Sequence, residues 1–157
     1  MEIRVRGFRP SDIDFVRSLI TRFSEVPLPA WLSSGDVDRT NQLILEKAMR
    51  APEPDSVIFV AETEDGTKAG FIHLQTQVDY FNGRNQGYIS DLAVAKSFEG
   101  QGVGRALMNK AEEWARQQGY GLLKLFVFVD NVRAQELYQK QGFQPVVIQY
   151  AKAIGPE

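Results

Sequence analysis

The sequence lacks cysteine altogether and contains a single histidine, His73, and these two scarcities exclude several kinds of chemistry. A chain without cysteine can form no disulfide, thiol nucleophile or thiolate metal site, and this absence fits a reducing compartment. One histidine cannot build a multi-histidine metal site within one chain. We therefore expect no metal cofactor.

Long apolar runs and an excess of one charge are also missing. No stretch approaches the ~20 apolar residues that a membrane span needs, and the first six residues, MEIRVR, carry charge where a signal peptide has its apolar core. The formal net charge of -2 gives no general attraction to nucleic acid. The sequence therefore predicts a cytoplasmic protein without membrane or nucleic-acid partners.

Hydrophobic periodicity predicts a single α/β domain over residues 1–157. Strands are expected at 3–8, 57–63, 68–77, 88–94, 122–129 and 143–150, and helices at about 11–23, 34–49, 102–118 and 132–141. Ser11 is expected to cap the first helix, and Pro52 and Pro54 to end the second. The inward side chains of the second helix are expected to be Leu43, Ile44 and Ala48.

Three glycines alternate at positions 100, 102 and 104, where the fourth strand leads into a helix. Glycines let backbone N–H groups approach a ligand closely, and a helix N-terminus adds unpaired donors and partial positive charge. This combination predicts an anion site, most naturally for phosphate. No Lys-Ser or Lys-Thr follows as in a P-loop, and the spacing does not fit the dinucleotide fingerprint.

Two motifs identify the family that the sequence resembles. Residues 91–108, DLAVAKSFEGQGVGRALM, resemble the acyl-CoA-binding motif of the GNAT N-acetyltransferases, and residues 130–143, DNVRAQELYQKQGF, resemble the second signature of that family. The resemblance implies a mixed, largely antiparallel sheet of six to seven strands flanked by about four helices, with splayed fourth and fifth strands. It also implies acetyl transfer from acetyl-CoA to an amine by direct attack.

The resemblance assigns cofactor-binding roles to residues of both motifs. The pyrophosphate is expected on the backbone N–H groups of Gly100, Gln101, Gly102, Val103, Gly104 and Arg105. The pantetheine arm is expected to pair with Leu92, Ala93 and Val94. Asn131 would hydrogen-bond this arm, cap the short helix, or do both, and Ala134 would allow close approach of the cofactor. The Arg105 side chain either contacts phosphate or is an exposed helix arginine.

Catalytic roles follow from the same resemblance. The N–H of Leu92 is expected to stabilise the oxyanion, and Tyr138 to protonate the departing thiolate, its alternative being a packed aromatic on an amphipathic helix. Asp91 is our candidate for the general base, its alternative being a purely structural residue. Further base candidates are Glu62, His73, Asp79, and Ser90 acting through water.

The acceptor side is less defined. Trp31 either walls an acceptor pocket or packs on the sheet, and Tyr80 and Phe81 indicate a pocket rim or a dimer contact. We expect an amine-bearing acceptor, either a small molecule or a protein N-terminus or lysine, and a homodimer by resemblance. A longer acyl-CoA is an alternative donor, and a non-catalytic CoA-binding regulatory domain is the alternative function.

One residue departs from the family pattern. Position 99 is Glu, where the family usually has Arg or Gln. A carboxylate directed at a pyrophosphate would repel it. We therefore expect Glu99 to face solvent while backbone N–H groups bind the phosphates.

Overall fold

The computed structural model describes residues 2–51 and 53–156, so the helix end predicted at Pro52 lies outside the described residues. The strands are Ile3–Gly7 (β1), Ser56–Thr63 (β2), Lys68–Val78 (β3), Asn85–Val94 (β4) and Leu123–Lys124 (β5). The α-helices are Ile13–Ser18 (α1), Ser34–Arg50 (α2), Val103–Gln117 (α3) and Val132–Lys140 (α4). Short 3-10 helices occupy Pro10–Asp12, Ile20–Ser24 and Lys96–Phe98.

The strands form one sheet in the order β1-β2-β3-β4-β5. The first four strands pair antiparallel with their neighbours, and β5 pairs parallel to β4. This confirms the mixed, largely antiparallel sheet with about four helices. Within the described residues the sheet has five strands rather than six to seven.

Helices cover both faces of the sheet. The apolar stripe of α3 is buried against one face, as the spacing predicts; its members are Val103, Leu107, Ala111, Trp114 and Ala115. The opposite face carries a second cluster, built from α1, α2 and the 3-10 helix between them; its members there are Val16, Leu19, Ile20, Leu45 and Met49. The sheet is therefore the middle layer of three.

Details of the first two helices differ from expectation. Leu43 is exposed, and α2 instead buries Leu45 and Met49, one turn apart. The Asp12 carboxylate, rather than Ser11, accepts the Arg9 backbone N–H at 2.8 Å. Burial opposes ionisation of Asp12, but hydrogen bonds from cationic neighbours outweigh it and hold the pKa of this carboxyl well below its usual range.

The C-terminal part contains less regular structure than its apolar sequence predicts. The strand expected at 122–129 is reduced to Leu123–Lys124, and the segment expected as a strand at 143–150 has no strand assignment. Several large apolar side chains of this last segment and its continuation are exposed: Val146, Val147, Ile148, Tyr150 and Ile154. Among the described residues, no helix is both long enough and apolar enough to cross a membrane.

Candidate functional site

The glycine loop joins β4 to α3, where the sequence predicts an anion site. Gly100 and Gly102 have φ values of 73° and 84°, in the left-handed region that favours glycine. Gly102 is the N-cap of α3, and no side chain caps the helix there. The first N–H groups of α3 are therefore open to an anion in front of the helix.

The edge of β4 that points away from β3 is open along most of its length. Within the described residues, β4 pairs with β5 only at Gly87 and Tyr88, which agrees with the expected splay of the fourth and fifth strands. A ligand could therefore lie along the rest of this edge as if it were another strand.

Strand geometry decides which backbone groups this open edge presents. The Ala95 N–H donates to Ala69 O of the adjoining strand β3 at 2.8 Å, so Ala95 directs its peptide groups toward β3. Because alternate residues of an antiparallel strand point to opposite edges, Leu92 and Val94 direct theirs to the open edge. Ala93 lies between them, paired with Phe71 of β3.

A bulge interrupts β4 just before these residues. His73 pairs with Asp91, whereas the next residue of β3, Leu74, pairs with Ile89, so Ser90 is the extra residue. The bulge lies immediately before Asp91 and Leu92. It places Asp91 on the sheet face covered by α1 and α2, since Ala93, two residues further on, packs in that cluster.

Three polar side chains from three neighbouring strands meet on this face. His73 Nδ1 lies 3.2 Å from Asp91 Oδ2, and His73 Nε2 lies 2.8 Å from Ser56 Oγ. His73 is fully buried, and the Asp91 side chain is 3% exposed. The sequence named Asp91 and His73 as separate base candidates but did not reveal their pairing, and it gave no signal for Ser56.

Two other base candidates, Glu62 and Asp79, form ion pairs that connect parts of the fold. Glu62 Oε2 lies 3.1 Å from Arg6 Nε. The Asp79 carboxylate receives Lys124 Nζ at 2.7 Å, and this bond, with the backbone N–H groups of the β3–β4 turn, holds its pKa well below the usual range. Asp79 therefore fastens the turn to β5.

The second motif places its residues on α4. Asn131 Oδ1 accepts the Ala134 N–H at 3.2 Å, so the expected cap is present, and the Asn131 amide N–H groups have no bonded acceptor among the described residues. Tyr138 lies edge-on to Phe143, with ring centroids 5.9 Å apart. Burial raises the pKa of the Tyr138 phenol above its usual value.

The acceptor-side candidates are all exposed. Trp31, in the segment before α2, is 61% exposed, and Tyr80 and Phe81, in the β3–β4 turn, are 91% and 87% exposed. That turn lies at the opposite end of β4 from the glycine loop. Closer to Asp91, burial raises the pKa of Tyr88 to about 12, and its ring stacks on Phe126 at 6.4 Å.

Glu99 does not simply face solvent as expected. Its carboxylate bonds the guanidinium of Arg22, from the 3-10 helix after α1, and lies 3.7 Å from Arg133 Nη2 of α4. The Arg22 hydrogen bond, with the nearby positive charges, lowers the pKa of the Glu99 carboxyl. Arg22 is 77 residues away in the sequence, so no local pattern indicated it. No cluster of three or more metal-binding side chains occurs in the part of the chain described above.

Comparison with known proteins agrees with this geometry. Residues 17–143 match the profile of the acetyltransferase (GNAT) family. An uncharacterized N-acetyltransferase of Archaeoglobus fulgidus is 32% identical over 145 residues, 92% of this chain and 93% of the relative. The streptothricin acetyltransferase of Streptomyces lavendulae is 37% identical over 98 residues, which is 62% of this chain; that alignment spans only 50% of the relative.

A solved structure shows the same fold. The structure of AAC(6')-Iy in complex with the bisubstrate analog CoA-S-monomethyl-acetylneamine has a TM-score of 0.69 to this chain at 20% identity. The match covers 98% of this chain and 100% of that chain. The arrangement of β4, the glycine loop and α3 therefore belongs to a fold in which a CoA-containing ligand has been seen.

Proposed function

The chain belongs to the acetyltransferase (GNAT) family, and from this membership we propose that it transfers an acetyl group from acetyl-CoA to a primary amine. The observation that carries the proposal is the continuity of two features. The open edge of β4 leads through the 3-10 helix Lys96–Phe98 into the glycine loop and the uncapped N-terminus of α3. One CoA molecule would occupy both features, with its pantetheine arm along the edge and its pyrophosphate at the helix N-terminus.

The cofactor residues divide between these two features. Leu92 presents its backbone N–H and carbonyl along the edge and Val94 presents its N–H, while Val94 O accepts Arg22 Nε at 3.2 Å. These groups suit an arm that pairs like a strand. The N–H groups of residues 100–105 surround the position expected for the pyrophosphate. Asn131 has amide N–H groups available for the arm while its oxygen caps α4, and Ala134 leaves room beside it.

The proposed reaction is a direct attack of the amine nitrogen on the thioester carbonyl carbon. A C–N bond forms, the carbonyl oxygen gains negative charge, and the Leu92 N–H stabilises that charge, an effect typically worth about 3 kcal/mol. The C–S bond then breaks, and the thiolate takes a proton from the phenol of Tyr138. The proton that the amine loses goes to the Asp91 carboxylate, with His73 beside it.

The acceptor is proposed to be a small amine, with a protein N-terminus or lysine as the alternative. The relative named a streptothricin acetyltransferase supports a small amine-bearing acceptor. Exposed Trp31, Tyr80 and Phe81 are the candidate acceptor contacts. We further propose a cytoplasmic protein and a homodimer, the latter supported by exposed apolar side chains of the C-terminal segment such as Val146 and Ile148. Sedimentation at several concentrations would test the dimer.

A thiol-release assay with grouped amine acceptors tests the proposed activity. We expect acetyl-CoA to bind and CoA to be released in proportion to acetylated amine for at least one group. Binding of acetyl-CoA without thiol release on any group would favour the non-catalytic CoA-binding alternative. Failure to bind acetyl-CoA at millimolar concentration would contradict both.

A further inference from the structure

Glu99 lies at the centre of a group of charges drawn from three parts of the chain. Its carboxylate bonds Arg22 from the 3-10 helix Ile20–Ser24 and lies 3.7 Å from Arg133 Nη2 at the start of α4. Lys96, just before the glycine loop, adds a third positive charge that acts on Glu99. Glu99, the residue that departs from the family pattern, is therefore the centre of a group of ion pairs beside the glycine loop.

Arg22 reaches the site through more than its ion pair. Its Nε donates to Val94 O at 3.2 Å, and Val94 is the last residue of β4, with its peptide groups on the open edge. Its Nη1 lies 2.5 Å from Glu25 Oε2. The guanidinium is therefore held where the open edge meets the glycine loop, at the junction between the proposed positions of the pantetheine arm and the pyrophosphate.

We propose that Arg22 is a phosphate-binding residue for the CoA pyrophosphate and that Glu99 positions it. This inference rests on the proposed function. Where the family pattern has Arg at position 99, the corresponding cation would be supplied here by Arg22 from another part of the chain. A guanidinium offers planar paired donors that match phosphate oxygens.

The charges around the loop are consistent with an anion there. Arg22, Arg133 and Lys96 carry three positive charges, and Glu25 and Glu99 carry two negative ones, which leaves one net positive charge. The Arg22 side chain is 21% exposed, so part of it remains accessible to a ligand. The Glu99 carboxylate forms ion pairs with Arg22 and Arg133 and is not directed at the phosphates.

This arrangement requires a carboxylate at position 99, where the family usually has Arg or Gln. Glu99→Arg introduces one of the two residue types of the family pattern, but it would place two guanidinium groups side by side and would displace Arg22 from the loop. We therefore expect Glu99→Arg to weaken CoA binding rather than improve it. Exchanging the charges in the double variant Arg22→Glu with Glu99→Arg should restore part of the lost affinity.

The test compares CoA with pantetheine, which lacks the phosphates, by titration calorimetry on the full chain. Arg22→Gln is expected to weaken CoA binding about tenfold, as loss of a charge-assisted hydrogen bond predicts, and to leave pantetheine binding unchanged. Arg22→Lys keeps the charge but not the paired donors and should fall between. Glu99→Gln should show a smaller loss for CoA only.

A matched control is the ion pair of Arg17 and Glu46, which joins α1 to α2 with Nε and Oε1 2.5 Å apart. Arg17→Gln should leave both affinities unchanged, and thermal midpoints should show that all variants fold. Unchanged CoA affinity in Arg22→Gln, or equal losses for CoA and pantetheine, would overturn the inference while the proposed function stands. If the unaltered chain bound no CoA, both would be overturned.

Discussion

His73 Nδ1 lies 3.2 Å from Asp91 Oδ2, and neither side chain is more than 3% exposed. The other ring nitrogen, Nε2, lies 2.8 Å from Ser56 Oγ, so one imidazole joins the polar groups of β2, β3 and β4. Asp91 follows the bulge at Ser90 and immediately precedes Leu92. A carboxylate with a fixed orientation therefore stands next to the proposed oxyanion donor.

Removal of the Asp91 carboxylate is expected to slow acetyl transfer. If Asp91 accepts the amine proton, Asp91→Asn should lower kcat about 10²-fold, the lower end of general-base contributions, with acetyl-CoA affinity unchanged. His73→Asn keeps an amide donor near Asp91 and should retain more activity than His73→Leu. Steady-state rates from pH 6 to 9 would measure this. Full turnover by a folded Asp91→Asn protein would assign the base elsewhere.

Loss of the Tyr138 hydroxyl is expected to affect the chemical step alone. Tyr138→Phe keeps the ring against Phe143 but removes the proton donor, so kcat should fall about 10²-fold with little change in acetyl-CoA affinity. Tyr150→Phe is the matched control, because Tyr150 is 88% exposed in the C-terminal segment. Equal kcat for both variants, with chemistry limiting, would leave Tyr138 as a packing residue.

Gly102 should matter for the cofactor as well as for stability. Its φ of 84° strains any residue with a Cβ, so Gly102→Ala should cost about 1–2 kcal/mol and disturb the N–H groups at the start of α3. Gly66 has φ 85° in the β2–β3 turn, far along the chain from the loop. Gly66→Ala should lose similar stability but keep its CoA affinity. Equal CoA binding by both variants would contradict the role of the loop.

Asp12 is expected to be a major contributor to stability. Its fully buried carboxylate accepts Arg6 Nη1 at 2.8 Å and Lys68 Nζ at 2.9 Å, so Asp12→Asn should lower the free energy of unfolding by about 3 kcal/mol. Asp14→Asn, at a fully exposed carboxylate, is the control and should be nearly neutral. Urea unfolding at pH 7 measures both.

The pH dependence of this effect has a definite sign. The folded-state pKa of Asp12 is lowered, so its stabilisation is present above the ordinary carboxyl pKa, near ~3.9, and is lost as the pH falls below that value. The difference between Asp12→Asn and the unaltered chain should therefore be constant from pH 7 to about 5 and shrink toward pH 3. A difference that grew on acidification would contradict this assignment.

Sequence patterns predicted what depends on local spacing. The stripe of α3, from Val103 to Ala115, follows helical periodicity and is buried as expected. The alternating glycines predicted a loop whose backbone N–H groups can approach a ligand, and Gly100 and Gly102 of this loop adopt the left-handed conformation. Both features are set by residues close together in the chain, which a pattern can capture.

Features that depend on distant partners could not be predicted in the same way. The Asp12 carboxylate, rather than Ser11, accepts the Arg9 N–H at the start of the first turn, and Arg6 and Lys68 from two strands bind the same carboxylate. Likewise, the apolar run at 122–129 indicates a preference for burial, but strand pairing also needs a neighbour within hydrogen-bonding distance. Beyond Lys124 the described β4–β5 pairing ends.

The open edge of β4 also has a consequence for handling the protein. An unpaired strand edge is a template for another chain, and such edges promote self-association unless something covers them. The arm of a bound CoA would cover this one in the manner of a strand. Bound CoA would then protect the protein against aggregation. Preparations saturated with CoA should stay monodisperse at concentrations where CoA-free preparations aggregate.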